Sequence, residues 1–378
     1  MHKIWHKTDS ERWIIAKLSI CVSEIREHVL RFRRTLGGKV RLCAVVKANA
    51  YGFGMVSIAK CLEKDVDYFA VARVNELEKL RKGKITKSVL ILAPIVNESG
   101  IEKALRLSGE ITIENVSSLK IVNRIAKKMK KIAKVHIKID TGMHRYGIGE
   151  MGEFLELLEY LKSCLNVEAV GIYSHLSSPQ NEVICLKQKD CFDKFISAAR
   201  EKGYALLSHL ASSKKAFDKD YAYDMVRIGV DLYESPKVSA LLAEIINIKK
   251  LQAGECLGYN GAYVAERDMK IACVGVGYGD VSIRGLSNKG SVLIGGKKCN
   301  IVGNVCMDCL FADVTNVDES QISNAVIWGN QGKCCISVCE VAQVCGTISY
   351  EILTSISGRV KREVNICKSS QENIVQGN

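Results

Sequence analysis

Between residue 40 and about residue 233 the chain alternates two textures. Short runs of apolar, often β-branched residues predict strands: RLCAVVKA, YFAVA, VLILA, EITIEN, VHIKIDTG, VGIYSHL, YALLSHLA and MVRIGVDLY. Stretches such as VNELEKLRKG and GEFLELLEYLKSCL lie between them, with apolar residues at helical spacing. Strands without strict polar alternation are buried on both faces, and their regular exchange with helices predicts βαβ units. About eight such strands close a (β/α)8 barrel of the TIM type. The other doubly covered arrangement, an open parallel sheet, is disfavoured because no glycine-rich phosphate fingerprint follows the first strand.

Near residue 243 the pattern changes. The text becomes β-rich, as in INIKKLQAGECLGYNGAYVAERDMKIACVGVGYGD and GSVLIGGKKCNIVGNVCMDCLFADVTN, with Gly295-Gly296 reading as a hairpin turn. Two short helical patterns, around SVCEVAQVC and SYEILTSIS, close this part. The α/β chain is therefore expected to form an N-terminal barrel domain, residues 1–243, and a C-terminal mainly-β domain, residues 244–378. The strand-like RWIIAKLSI can pair with either, and the polar tail after Arg362 is expected to fray.

Composition narrows the class. The 378 residues suffice for two real cores, and none of the apolar runs reaches the roughly 18 residues that span a bilayer. Sixteen cysteines are scattered singly, and MHKIWHKTDSERW lacks the charged, apolar and small-residue order of a secretion signal, so a reducing cytoplasm is expected. The net charge of +13 raises the question of nucleic acid. Lysines gather in IAKKMKKIAK without interleaved aromatics, the pattern of a solvated helix face, and no nucleic-acid or membrane partner is expected. Cys306 and Cys309 form a CxxC, but Cys334, Cys335 and Cys339 offer only a loose second cluster, too irregular for a zinc site, so no metal is expected.

A barrel places reactive side chains at the C-terminal ends of its strands. Lys47 ends the first predicted strand, Asp140 to Arg145 follow the fifth, His175 ends the sixth, Ser212 and Ser213 follow the seventh, and Arg227 lies in the last. A lysine in an apolar strand mouth loses solvation for its charged form, which lowers its pKa and frees the amine as a nucleophile toward a carbonyl cofactor. Arg227, within an otherwise apolar strand, needs acceptors because its guanidinium stays protonated.

VVKANAYGFG resembles the pyridoxal-phosphate lysine motif of the alanine racemases, V-V-K-A-N-A-Y-G-H-G, with Phe53 in place of histidine. KIDTGMHRYG, YSHLSSP, HLASS, MVRIGVDLY, ECLGYNGAY, GYGD, GNVCMD and TISYE resemble further motifs of the same family, in the same order and across nearly the whole chain. The resemblance implies a fold-type III pyridoxal 5'-phosphate enzyme, an isomerase that interconverts L-alanine and D-alanine. It implies Lys47 as the cofactor lysine and one catalytic base, and Tyr259 as the other. Cofactor contacts are implied for Tyr51, Arg145, His175, Ser213, Arg227, Gly229, Val230 and Tyr350, with Arg227 facing the pyridine nitrogen and Gly229 and Val230 offering backbone amides to the phosphate. Ser212 stands where the family commonly has asparagine. His175 is implied to orient and acidify the tyrosine, Arg145, Met307 and Tyr278 to meet the substrate with Asp308 beside them, and Lys138 to match a lysine often carbamylated. The working unit implied is a homodimer in which each Tyr259 serves the partner's site. Serine or another small amino acid is the alternative substrate, since an apolar pocket rejects one hydroxyl only weakly. A pyridoxal-phosphate carrier without activity is disfavoured by the β domain. A role in supplying D-alanine to a cell wall and one in breaking it down both stay open.

Overall fold

The computed structural model describes residues 15–365. The described residues form two compact units: Arg26–Ala50 with Met55–Leu232, and residues 15–25 with Tyr51–Gly54 and residues 233–365.

A strand β1, Ala16–Cys21, precedes the first of these units in sequence. The barrel strands follow as β2 (Arg41–Val45), β3 (Tyr68–Val71), β4 (Ser88–Ile91), β5 (Glu110–Ile113), β6 (Ala133–Lys138), β7 (Val167–Tyr173), β8 (Leu207–His209) and β9 (Met225–Ile228). Neighbours pair in parallel from β2 round to β8, and β2 also pairs with β9. The ring closes between β8 and β9 through a Ser212–Arg227 bridge and an Arg227 amide bond to the Ala211 carbonyl at 3.2 Å. The expected eight-stranded barrel is thus present, and all four positions of β3 are buried, which explains why YFAV does not alternate; β5, EITI, does alternate, yet its Glu110 and Thr112 are buried too.

Each of β2 to β7 returns through a helix that lays an apolar stripe on the ring, while β8 returns through a 3-10 turn, Ser213–Lys215, and the four-residue helix Lys219–Ala222. Met55–Leu62, Val74–Lys82, Glu98–Arg106, Val116–Met129, Met151–Lys162 and Glu182–Glu201 are the long ones. Asn97, Asn115 and Asn181 start three of them, their side chains accepting from the amides of Gly100, Ser118 and Ile184. The lysine-rich IAKKMKKIAK spans a helix end: Ile125 and Ala126 are buried, and Lys130 takes the left-handed cap conformation at φ 53°.

The other unit is built on β10, Ser239–Leu251, which pairs antiparallel with β1, with Asn324–Gln331 and with Met269–Val274. Gly295 and Gly296, at φ 60° and 74°, turn the hairpin between Ser291–Ile294 and Lys297–Asn300 as its two-residue loop requires. Of RWIIAKLSI, the first three residues lie outside the described residues and the part from Ala16 finds its partners here, since β1 lies between β10 and a parallel strand at Lys361–Asn365. That last pairing corrects the expected fraying after Arg362 for residues up to Asn365; the rest of the tail lies outside the described residues. KREVN reads as polar because it is the edge strand of its sheet.

Candidate active site

The barrel gathers its reactive side chains at one rim. Lys47 follows β2, and the backbone after it does something unusual: Ala48, Asn49, Ala50 and Tyr51 all have φ between 51° and 56°, a left-handed helical turn without glycine. Such residues cost about 1–2 kcal/mol each, so neighbouring bonds must hold them. The Ala50 amide reaches the Val46 carbonyl at 2.8 Å, and the Asn49 Oδ1 accepts from the Met55 amide at 3.0 Å, starting the next helix. Glu76 supplies the third restraint. One oxygen accepts from the Ala48 amide at 2.7 Å, and the other from the Ala72 and Arg73 amides at 2.8 and 3.1 Å.

Glu76→Gln presents an NH2 group to one side of this three-donor clamp. It is expected to destabilise the protein by about 1–3 kcal/mol. A lower urea midpoint at unchanged slope measures this.

Charge at the rim is one-sided. Burial pushes the Lys47 amine below its ordinary pKa, and Arg145 and Arg227 add to this against the opposing pull of Glu76. Lys138, the buried last residue of β6, is lowered to about 7, first by burial and then by Arg227. Its ammonium donates to the Ile139 carbonyl at 2.6 Å and lies 5.3 Å from the centre of the Tyr173 ring. His175, just past β7, is held neutral, its pKa lowered to about 3 by burial and by Arg227, Arg145, Lys138 and Lys47. Five of the expected residues therefore share one electrostatic neighbourhood. Arg145 itself is exposed, stacked on Tyr146, in a loop whose Gly142, Met143 and His144 amides converge on Asp140 Oδ1.

Arg227 is buried in β9. Its Nη1 donates to His209 Nδ1 at 2.6 Å and to the His209 carbonyl at 3.0 Å, and its Nη2 to the Ser174 and Leu210 carbonyls at 2.7 and 3.1 Å. None of these bonds uses Nε. Ser213 is buried, and its Oγ accepts from the Gly229 amide at 2.7 Å, so that amide is engaged within the protein and the hydroxyl proton is left to donate. Val230 begins a 3-10 turn, Val230–Leu232, where the first amide has no partner within the turn.

In the other unit, Tyr51 lies with its ring 5.2 Å from Tyr233 and 6.0 Å from Tyr350. Phe53 packs on Tyr233 at 4.9 Å, so the departure from histidine fills an apolar contact. Tyr259 opens a 3-10 turn, Tyr259–Gly261, is 71% exposed, and lines a cavity of about 480 Å³ with Cys306, Met307 and Asp308. Tyr278 is held against that wall by its amide bond to the Cys306 carbonyl at 3.0 Å. Gly277 permits the contact: an added Cβ would stand 2.3 Å from the Cys306 and Met307 carbonyl oxygens. Arg359, unnoticed in the sequence, joins Asp308 at 2.7 Å to the buried Asp280 at 3.2 Å. Burial raises the Cys306 and Cys309 thiols, the latter to about 11, which makes them poor nucleophiles. Ser212 takes part in closing the ring and has no side-chain cap bond.

Glu76, His136 and Glu110 carry no motif that marks them, and His209 opens HLASS without a role assigned to it there. Glu76 sits in an ordinary amphipathic helix, and Glu110 opens a strand as many solvent-facing glutamates do.

An amine made easier to deprotonate at a strand mouth, set among cations, is an arrangement that suits an anionic molecule beside a nucleophile. Family models give the family. Residues 20–236 match the alanine racemase N-terminal domain and residues 238–364 the alanine racemase C-terminal domain. The chain is 34% identical over 365 residues to alanine racemase 2 of Caldanaerobacter subterraneus subsp. tengcongensis, covering 92% of this chain and 94% of that one. The solved alanine racemase of Bacillus anthracis with bound L-Ala-P superposes with a TM-score of 0.87 at 28% identity, over 94% of this chain and 96% of that one. An alanine racemase of Clostridium difficile gives the same TM-score at 28% identity, over 93% and 96%. The chain belongs to the alanine racemase family.

Proposed function

We propose that the protein is a pyridoxal-phosphate-dependent alanine racemase, in which Lys47 and Tyr259 act as bases on opposite faces of the substrate. The observation that carries this reading is Lys47 itself, an amine with lowered pKa among Arg145, Arg227 and Lys138. The residues suit the cofactor. Arg227 keeps Nε–H free of the four bonds that orient it, Ser213 keeps a hydroxyl proton, and the cationic rim suits a phosphate and a carboxylate.

Lys47 would hold the cofactor, with Tyr51, Ser213, Val230 and Tyr350 around its phosphate and Arg145 and His175 near the ring; the Gly229 amide, expected at the phosphate, is instead bonded to Ser213 Oγ. When bound, the cofactor supplies an electron sink for the α-carbon. Arg227 would moderate that sink, because a guanidinium donor facing the pyridine nitrogen would not surrender its proton to it. Lys47 Nζ takes or returns the α-proton on one face, and Tyr259 Oη does so on the other. A phenol of ordinary pKa near 10 is a weak base at neutrality, so the neutral His175 and the nearby cations are what fit the tyrosine to the task. Arg145 and the Met307 amide receive the substrate carboxylate, and Tyr278 and Tyr350 limit the side chain to about a methyl group. The reading takes a cytoplasmic homodimer as the working unit, each copy's Tyr259 serving the other's Lys47.

Initial rates with L-alanine and L-serine, read by chiral chromatography, test the assignment. The reading expects alanine to exceed serine in kcat/KM by about 10–200-fold, the range available to a small pocket. Equal rates would make it a broad small-amino-acid racemase.

Lys138 carries a separate expectation. With a pKa of about 7 in the fold against about 10.4 for a free lysine, it binds fewer protons folded than unfolded between those values. Stability should therefore rise with pH across that window, and Lys138→Met should flatten the rise in a series of thermal melts. The same neutral amine is nucleophilic toward carbon dioxide, and a carbamate beside Arg145 should appear as a bound resonance after equilibration with carbon-13 bicarbonate.

A further inference from the structure

The Arg227 bond to His209 is the top of a longer buried chain. His209 Nε2 lies 3.1 Å from His136 Nδ1, and His136 Nε2 lies 2.8 Å from Glu110 Oε2. Glu110, His136, His209 and Arg227 are each no more than 4% exposed. The chain climbs the barrel interior from the first residue of β5, through the middle of β6 and the end of β8, to β9.

Its protons are determined from one end. A guanidinium only donates, so His209 Nδ1 accepts and carries no proton. His209 is then neutral with its proton on Nε2, which it donates to His136 Nδ1. His136 is in turn neutral, with its proton on Nε2 donated to the Glu110 carboxylate. Any reversal sets two donors face to face at Arg227. The surrounding structure is shaped for this: Tyr173 stacks flat on His209 at 4.8 Å, and a Cβ on Gly171 would stand 2.2 Å from His136 Nδ1.

We propose that Glu110 and His136 are positioning residues, fixing His209 as an acceptor so that the Arg227 guanidinium is held in one orientation with its Nε–H left for the cofactor. The inference rests on the functional reading above for that final clause. The carboxylate also supplies a formal negative charge that two imidazoles relay toward a buried cation which has no carboxylate among its four direct acceptors.

Glu110→Gln preserves shape and removes the obligation to accept. Its carboxamide can turn an NH2 toward His136, which moves that proton to Nδ1 and sets it against His209. Histidine-selective nitrogen-15 labelling with long-range proton–nitrogen correlation reads the tautomers, in cofactor-free and pyridoxal-phosphate-loaded protein. The wild type is expected to show both histidines as neutral Nε2–H forms in either state, and Glu110→Gln to show a second set with His136 protonated on Nδ1. In the loaded variant kcat is expected to fall about tenfold or more, with KM changing less than threefold. A wild-type His136 with a proton on Nδ1, or an unchanged pair of histidines in Glu110→Gln, overturns the proposal. Should the variant not fold, the wild-type spectrum still decides. Should the chain take up no cofactor, the functional reading fails, while the cofactor-free spectrum still tests the proton pattern.

Discussion

Lys47→Ala is expected to lower racemisation of L-alanine by at least about 1,000-fold, because in the proposed mechanism it removes in one step the attachment point of the cofactor and one of the two bases. The loss should appear in both directions of the reaction and persist at saturating cofactor. The physical basis is the placement of Lys47 after β2, where burial and the cations Arg145 and Arg227 make its amine easier to deprotonate than a surface lysine. Glu76 and the Val46–Ala50 bond hold the left-handed turn that follows, so loss of the side chain alone should leave the fold intact. Matching circular dichroism and thermal melts for the cofactor-free wild type and variant check that condition. A Lys47→Ala protein retaining a tenth of wild-type activity would remove the lysine from the chemistry.

Tyr259→Phe should give a different kind of loss. Racemisation is expected to fall by about 100- to 10,000-fold, the range of a single general acid–base group, while the cofactor stays bound. Lys47 remains on its own face, so one enantiomer of alanine should go on exchanging its α-hydrogen for deuterium in heavy water. The other enantiomer should lose that exchange together with racemisation. The asymmetry separates two bases on opposite faces from one base serving both. Because Tyr259 is 71% exposed within its own chain, its removal should cost the isolated chain little stability.

The pattern of apolar runs made the barrel legible, because its short strands are largely buried and those from β2 to β7 are each followed by a helix with one apolar stripe. The position of Lys47 was legible for the same reason, since a charged residue at the end of RLCAV must lie at a strand mouth. The hairpin at Gly295-Gly296 followed from turn chemistry alone. Three features were not legible. The left-handed turn at Ala48 to Tyr51 is made by residues with no local preference for it, and is held by a carboxylate 28 positions away in sequence. The terminal strand Lys361–Asn365 reads as polar because the edge of a sheet tolerates charge. The Glu110–His136–His209–Arg227 chain joins four different strands, and each member lies among residues that give no sign of the others. Only the closure of the barrel brings them within hydrogen-bond distance.

Attachment of the cofactor to Lys47 is the central claim, and borohydride reduction of the pyridoxal-phosphate-loaded protein followed by peptide mapping tests it most directly. The account predicts a single pyridoxyl adduct on Lys47, in the peptide containing AVVKANAYGFG. An adduct confined to another lysine, or a protein that takes up no cofactor, would contradict it.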